Sequence, residues 1–255
     1  VVAGAAVTAL YTAVLIAGLL TAAAAAIVGR FTTTPYGRFA TASWGPTLPI
    51  RVGWLVMEAP ALPVFWGVLL ASPQRDTPLA LAGAAIWTVH YLNRSLAFPL
   101  LMRARPDGRM AWAVAASGFA VVCVHAWLYA TWLGQLAPDP TLGPRFVLGA
   151  AMWGVGFALI VDTERRLRQL RRDADAPRYQ IPRGGGFAWV SSPHYLGELL
   201  AFTGLMVALA CPGGAVVLAL TVANLVGRAA ATHAWYHATF PDYPPERRAL
   251  LPYLW

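Results

Sequence analysis

Seven ionisable side chains fall inside long apolar stretches of this sequence: Glu58, His90, Arg94, His125, Glu198, Arg228 and His233. A charged group in hydrocarbon costs a few kcal/mol, roughly 2.5 to 3.5 on insertion scales, so each needs a partner or a wet cavity. Their spacing groups them. His90, Asn93 and Arg94 stand at i, i+3 and i+4, a polar stripe on an apolar helix with Tyr91 at its edge. His194 and Glu198 are four apart with Tyr195 beside them, and Arg228, Thr232 and Tyr236 repeat the interval with His233 adjacent. Glu58, in Trp54-Leu-Val-Met-Glu58, has two readings. It is either an ion pair with Arg94 or a neutral carboxylic acid that donates a hydrogen bond to a carbonyl oxygen. For the stripes, the alternative to a site is hydrogen bonding that glues helices together.

A second cluster is cationic. Between Asp162 and Arg183 lie Arg165, Arg166, Arg168, Arg171, Arg172, Arg178 and Arg183. Guanidinium forks bind phosphate in bidentate fashion, although a solvated face or a belt under lipid headgroups would use the same charges. The stretch Tyr179-Gln-Ile-Pro-Arg-Gly-Gly-Gly186 then leads back into apolar sequence. Its glycines are consecutive and no strand precedes them, which excludes the dinucleotide fingerprint of a Rossmann fold. The stripes and this cluster together predict a polar, arginine-lined cavity suited to a phosphate-bearing cofactor. Cys123 and Cys211 sit in apolar surroundings without ligand spacing, so they read as packing residues and no metal site is expected.

The elements that must carry these groups follow from composition. Of 255 residues, 58% are hydrophobic; residues 1 to 161 hold 13 charged side chains and the 22 residues from Asp162 to Arg183 hold 11. That distribution excludes an ordinary soluble domain. Five stretches exceed the ~18 apolar residues of a spanning candidate. The first lacks a basic n-region and reads as a retained helix. Breaks at Pro, Gly and Arg clusters predict an all-α protein with seven transmembrane helices, near 5–28, 52–72, 78–102, 110–135, 144–162, 192–211 and 214–238. The last two are split by the turn Cys211-Pro-Gly-Gly214. All the basic charge is arginine, and 15 of the 19 arginines fall in loops 1, 3 and 5 and the C-terminal tail, which puts the N-terminus outside and the C-terminus in the cytoplasm. The net charge of +8 therefore reflects topology and anionic lipid rather than nucleic acid. One domain is expected, with substrate-pocket helices over 52–135, an Arg-rich cytoplasmic loop over 162–190 and cofactor-binding helices over 191–255.

From Arg51 onward the sequence resembles the steroid 5-alpha-reductase family. The resemblance is carried by Trp54-Leu-Val-Met-Glu-Ala-Pro60, Val89-His-Tyr-Leu-Asn-Arg94, Tyr179-Gln-Ile-Pro-Arg-Gly-Gly, Ser192-Pro-His-Tyr-Leu-Gly-Glu198, Arg228 to Tyr236, Asp242-Tyr-Pro and Arg248-Ala-Leu-Leu-Pro-Tyr-Leu-Trp255. Residues 1 to 50 contribute little beyond a span. The resemblance implies a seven-helix membrane enzyme that uses NADPH to reduce the C4–C5 double bond of a 3-oxo-Δ4-steroid. It implies that Glu58 and Tyr91 hold the 3-keto oxygen, with Trp54 beside the substrate. Arg94, Arg103, Arg105, Glu164, Arg171, Tyr179, His194, Tyr195, Glu198, Arg228, His233 and Tyr236 would line the cofactor cavity. The chain departs from the family pattern at Ile160, His194 and Thr232.

An enone is electrophilic at its β-carbon only when its oxygen can take negative charge, so donors aimed at that oxygen are the chemistry Glu58 and Tyr91 offer. A steroid-like enone would reach them from the lipid. Neither nucleic acid nor an obligate protein partner is expected, and the all-arginine, Ala-rich composition suggests a bacterial inner membrane. Two rival readings use the same residues: a membrane methyltransferase of the isoprenylcysteine type binding S-adenosylmethionine, and a non-enzymatic sterol- or lipid-binding protein.

Overall fold

The computed structural model describes residues 2–39, 44–171, 177 and 179–255; Arg172 and Arg178, counted above with the cationic cluster, lie outside the described residues. The chain is mostly helical. Helix α1 (Val2–Val28) runs against the last helix, α9 (Gly213–Thr239). Among its described side chains only Tyr11 and Ala22 are buried. The Tyr11 hydroxyl accepts from the Gly213 amide at 3.1 Å and lies 3.4 Å from Cys211 Sγ, a polar anchor that fixes the height of α1 on the bundle. Leu10, Leu20 and Ile27 point outward, as side chains facing acyl tails do.

Helices α2 (Ile50–Glu58) and α3 (Ala61–Leu70) form one apolar column interrupted at Pro60, whose missing N–H ends α2. Near the break Glu58 O accepts from the Ser95 hydroxyl at 3.0 Å and Ala61 O from the Trp87 indole at 3.0 Å. Helix α4 (Pro78–Leu92) starts on Thr77, whose side chain accepts from the Ala80 amide, with Pro78 in the first turn. It continues through a π turn, Asn93–Ala97, into α5 (Phe98–Leu101). Pro99 cannot donate to the preceding turn, and a π turn just before it keeps the helix continuous. Helix α6 (Trp112–Thr131) ends in a second π turn, Trp132–Leu136.

Helices α7 (Pro144–Gln169) and α8 (Pro193–Leu209) make the closest helix pair. Glycines set the distance: a Cβ on Gly156 would lie 2.5 Å from Ala201 N, and one on Gly197 would lie 2.7 Å from Gly156 O. Small residues at one interface are how helices approach in a membrane, where no hydrophobic force drives them together. The apolar core lies between α3, α4, α6 and α8, with Phe65 stacked on Trp87 at 5.0 Å and Trp87 against Tyr91 at 4.4 Å and Tyr129 at 5.2 Å.

Two expectations are corrected. The fold is not purely α: Thr47–Pro49 (β1) pairs antiparallel with Arg109–Ala111 (β2), Leu48 opposite Met110. The fourth helix therefore begins at Trp112, because residues 109–111 tie two loops together instead of extending the helix. The charged segment does not begin as a loop at Asp162; α7 continues to Gln169, supported by the Asp162–Arg166 pair at 2.7 Å. Among the described residues five helices are long and apolar enough to cross a membrane: Gly4–Val28, Ile50–Leu70, Trp112–Leu136, Pro144–Gln169 and Gly213–Thr239. α8 is a shorter apolar helix, and α4 continues through its π turn into α5. The separation of α8 from α9 falls at the expected Cys211-Pro-Gly-Gly turn, after Ala210 in the left-handed conformation at φ 46°.

Candidate active site

A cavity of about 630 Å³ opens between the π turn after α4, the C-terminal end of α7, the facing ends of α8 and α9, and the loops before α2 and α6. Its inner end is organised by Arg94. The Arg94 guanidinium donates from Nε to Glu58 Oε1 and from Nη1 to Glu198 Oε1, both at 2.8 Å, and lies 5.4 Å from the Trp54 ring centroid. Three helices thus meet on one side chain, and the π turn is what re-aims the helical stripe. Arg94 reaches α2 and α8, while its neighbour Asn93 turns to α7 and donates to Glu164 Oε2 at 3.3 Å. Arg168 stands 3.8 Å from the same Glu164 oxygen. Glu58 Oε2 is buried and makes no hydrogen bond.

The wall toward α9 is held by Arg228. Its Nε donates to the Tyr195 hydroxyl at 3.1 Å, its Nη1 to Thr34 O and its Nη2 to Tyr36 O at 3.4 Å. The guanidinium also stacks over the Tyr36 ring at 3.6 Å. The Tyr36 phenol is raised above its ordinary value, first by burial and then by Tyr195, while Arg228 opposes the shift.

The mouth is cationic. Arg103 and Arg171 each donate to the other's backbone carbonyl at 3.3 Å, and Arg38, Arg105, Arg109 and Arg168 line the same opening. Burial lowers the Arg171 guanidinium below the usual arginine value; Tyr179 opposes this, and the nearby Arg105 and Arg38 add to it. Such a cluster accumulates positive potential that a phosphate-bearing ligand would relieve. Tyr179 and Tyr236 add flat surfaces at this end.

The structure brings together Trp54, Arg94, Arg103, Arg105, Glu164, Arg171, Tyr179, His194, Tyr195, Glu198, Arg228 and Tyr236 on this one cavity. It does not place three of the expected residues on that wall. Glu58 sits behind Arg94, its Oε1 2.8 Å from Arg94 Nε. Tyr91 is 2% exposed, packed on Trp87 and His90. His233 meets Ser191 Oγ through Nδ1 at 2.7 Å, and Ser191 lies 2.7 Å from the Tyr243 hydroxyl, so the cavity sees Ser191 instead. His194 contributes a buried Nδ1 that makes no hydrogen bond among the described residues, and its ring lies 4.0 Å from that of Tyr195, tilted by 50°. His90, taken from the same stripe as Arg94, faces Phe157 and Phe202 with neither ring nitrogen bonded.

Sequence reasoning missed the wall formed by Pro35, Tyr36, Gly37 and Arg38. Residues before 50 show no helical stripe, and Arg38 counted only toward topology. The available signal was the turn itself, a glycine between an aromatic and a basic side chain, and Gly37 does adopt φ 65°. Among the described residues no cluster of His, Cys, Asp or Glu could hold a metal ion.

Comparison with known proteins bears on this cavity. The sequence profile of the 3-oxo-5-alpha-steroid 4-dehydrogenase family matches residues 107–255. The chain is 32% identical over 234 residues to 3-oxo-5-alpha-steroid 4-dehydrogenase 1 of Rattus norvegicus, covering 89% of both chains. It is 33% identical over 232 residues to the Homo sapiens protein of that name, covering 88% of both. Steroid 5-alpha-reductase DET2 of Arabidopsis thaliana is 32% identical over 242 residues, covering 90% of this chain and 91% of its own.

Proposed function

Because the chain belongs to the 3-oxo-5-alpha-steroid 4-dehydrogenase family, we propose that it reduces the C4–C5 double bond of a 3-oxo-Δ4-steroid or a steroid-like enone, with NADPH as the nicotinamide cofactor. The observation that carries the reading is one continuous cavity with a carboxylate-braced arginine at its inner end and an arginine cluster at its mouth. A ligand that is flat and reactive at one end and phosphorylated at the other matches that polarity. NADPH, when bound, supplies the hydride for the enone β-carbon.

The protein's part is electrostatic and geometric. In this reading the 3-keto oxygen reaches Glu58 and Tyr91, which stand behind the cavity wall, and takes hydrogen bonds from both, so that charge arriving on the enolate is stabilised. Arg94 holds Glu58 by Oε1 and Oε2 has no partner among the described residues; Oε2 is the atom that would carry the donated proton when the carboxyl is neutral. Arg94, Glu198 and Trp54 position the two reactants at the inner end, and surrounding apolar packing excludes water. Arg103, Arg105 and Arg171 hold the phosphates.

Helices α4–α5 and α8 complete a seven-helix bundle in this reading, with the arginine-rich mouth on the cytoplasmic side, as the distribution of arginines over alternate loops favours. Bacterial inner membrane is the expected setting. The test is NADPH oxidation by the purified protein in nanodiscs with progesterone or testosterone, followed by mass spectrometry of the steroid. Gain of two hydrogens confined to the ring A double bond is expected. Bound NADPH without reduction of any enone would remove the substrate assignment, and no binding of any nicotinamide would remove the reading altogether.

A further inference from the structure

Residues 32–39, after α1, close a side of the cavity through Pro35, Tyr36, Gly37 and Arg38. Their hold on the bundle is mostly through backbone: Thr34 O and Tyr36 O accept from Arg228, and Tyr36 bridges to Met110. Thr34 Oγ1 adds a side-chain bond to Asn224 Oδ1 at 2.9 Å. After the left-handed turn at Gly37, the Arg38 guanidinium lies among aromatic rings, 4.3 Å from the Trp235 centroid and 4.7 Å from that of Tyr236. Its Nη2 donates to the Tyr236 hydroxyl at 3.3 Å, but Nη1 is buried and makes no hydrogen bond.

Arg38 and Arg171 line the same mouth, and among the described residues neither is paired with a carboxylate. Rings that fix the plane of a guanidinium leave its edge N–H groups for an acceptor in that plane. A phosphate monoester dianion offers such acceptors and would neutralise both charges. A cofactor with only a bridging pyrophosphate carries no such group. We infer that Arg38 grips, together with Arg171, the phosphate monoester that distinguishes NADPH from NADH, and that this grip seats the segment 32–39 over the bound cofactor. The inference rests on the cofactor reading above and goes beyond it by assigning selectivity to a loop residue.

The test is equilibrium binding of NADPH and of NADH to the protein in phosphatidylcholine nanodiscs, for the unaltered chain, Arg38→Ala and Arg38→Lys. Backbone amide exchange over 32–39 is followed in the same samples. Arg38→Ala is expected to weaken NADPH binding about tenfold or more, the scale of a lost charge-assisted hydrogen bond, and to leave NADH binding unchanged. Arg38→Lys, which keeps the charge and loses the planar fork, should fall between. NADPH should slow exchange over 32–39 and NADH should not. Equal loss of both nucleotides, or an unchanged ratio, would overturn the assignment. If Arg38→Ala does not fold, the exchange comparison in the unaltered chain decides, since equal protection by both nucleotides also overturns it. Slowed exchange produced by phosphatidic acid alone would give the anion to a lipid headgroup and sink the cofactor assignment. An unaltered chain that binds neither nucleotide defeats the underlying cofactor reading, an outcome distinct from NADH-like binding of NADPH.

Discussion

The inner end and the mouth of the cavity are both built on arginine and use it in opposite ways. At the inner end Arg94 is filled by two carboxylates at 2.8 Å, from helices on opposite sides of it. At the mouth, among the described residues, Arg103 and Arg171 are hydrogen-bonded to each other's backbone carbonyls, and Arg38 is held by aromatic rings and a tyrosine hydroxyl. A guanidinium whose fork is occupied by carboxylates is a fixed part of the wall, because separating the charges would leave them buried and unpaired. A guanidinium held by neutral groups keeps its charge available for an anion. The first arrangement fixes geometry where bonds change, and the second supplies affinity far from the reacting atoms.

Breaking the inner end should have the largest effect. Arg94→Ala leaves Glu58 and Glu198 buried without their cation and is expected to cost about 3 to 5 kcal/mol in stability, read by thermal unfolding in detergent, with turnover abolished. Glu58→Ala and Tyr91→Phe each remove one donor and should lower turnover roughly a hundredfold, about 3 kcal/mol, with NADPH affinity unchanged by equilibrium binding. Unaltered turnover in both would remove these two residues from the chemistry. Gly156→Ala tests the scaffold that both ends share. Its new Cβ would stand 2.5 Å from Ala201 N, and the backbone cannot yield as a side chain could. A loss of about 1 to 3 kcal/mol is expected from forcing α7 and α8 apart, measured again by thermal unfolding, and retention of full stability would show that the helix pair tolerates separation. At the mouth, Arg171→Ala should weaken NADPH binding about tenfold while leaving turnover at saturating cofactor nearly unchanged. The smallest effect separates the two ends without mutation. Raising ionic strength from 0.05 to about 0.5 M should weaken NADPH binding several-fold through screening at the open mouth. Turnover at saturation should not move, since the Arg94 cluster is out of reach of salt.

Much of this arrangement is legible before any coordinates. The polar stripes on apolar helices identify Arg94, Glu198, Arg228 and Tyr236, because a charged side chain in hydrocarbon has no neutral explanation. The turn at Cys211-Pro-Gly-Gly and the start of the third span near residue 78 appear where expected. Arg38 and Tyr36 were not legible as wall residues, since their position depends on Arg228, nearly two hundred residues away. Nor was the split of the His90 stripe: the i, i+3, i+4 spacing assumes a regular helix, and the π turn at Asn93–Ala97 sends Asn93 and Arg94 to different partners.

The amino-acid sequence alone determined that this chain is a bundle of apolar helices, that its ionisable groups inside that bundle are few and grouped, and that its cationic segment lies next to them. Those properties follow from hydropathy, helical period and charge count, which are local and additive. Only the tertiary structure decided that Glu58 pairs with Arg94, that Tyr91 and His233 stand behind the cavity wall, that the glycines of α7 and α8 set the width of the site, and that a loop after the first helix closes it. Each of these is a choice among partners distant in sequence. It is made by packing distance and hydrogen-bond satisfaction, quantities that exist only once the helices are assembled.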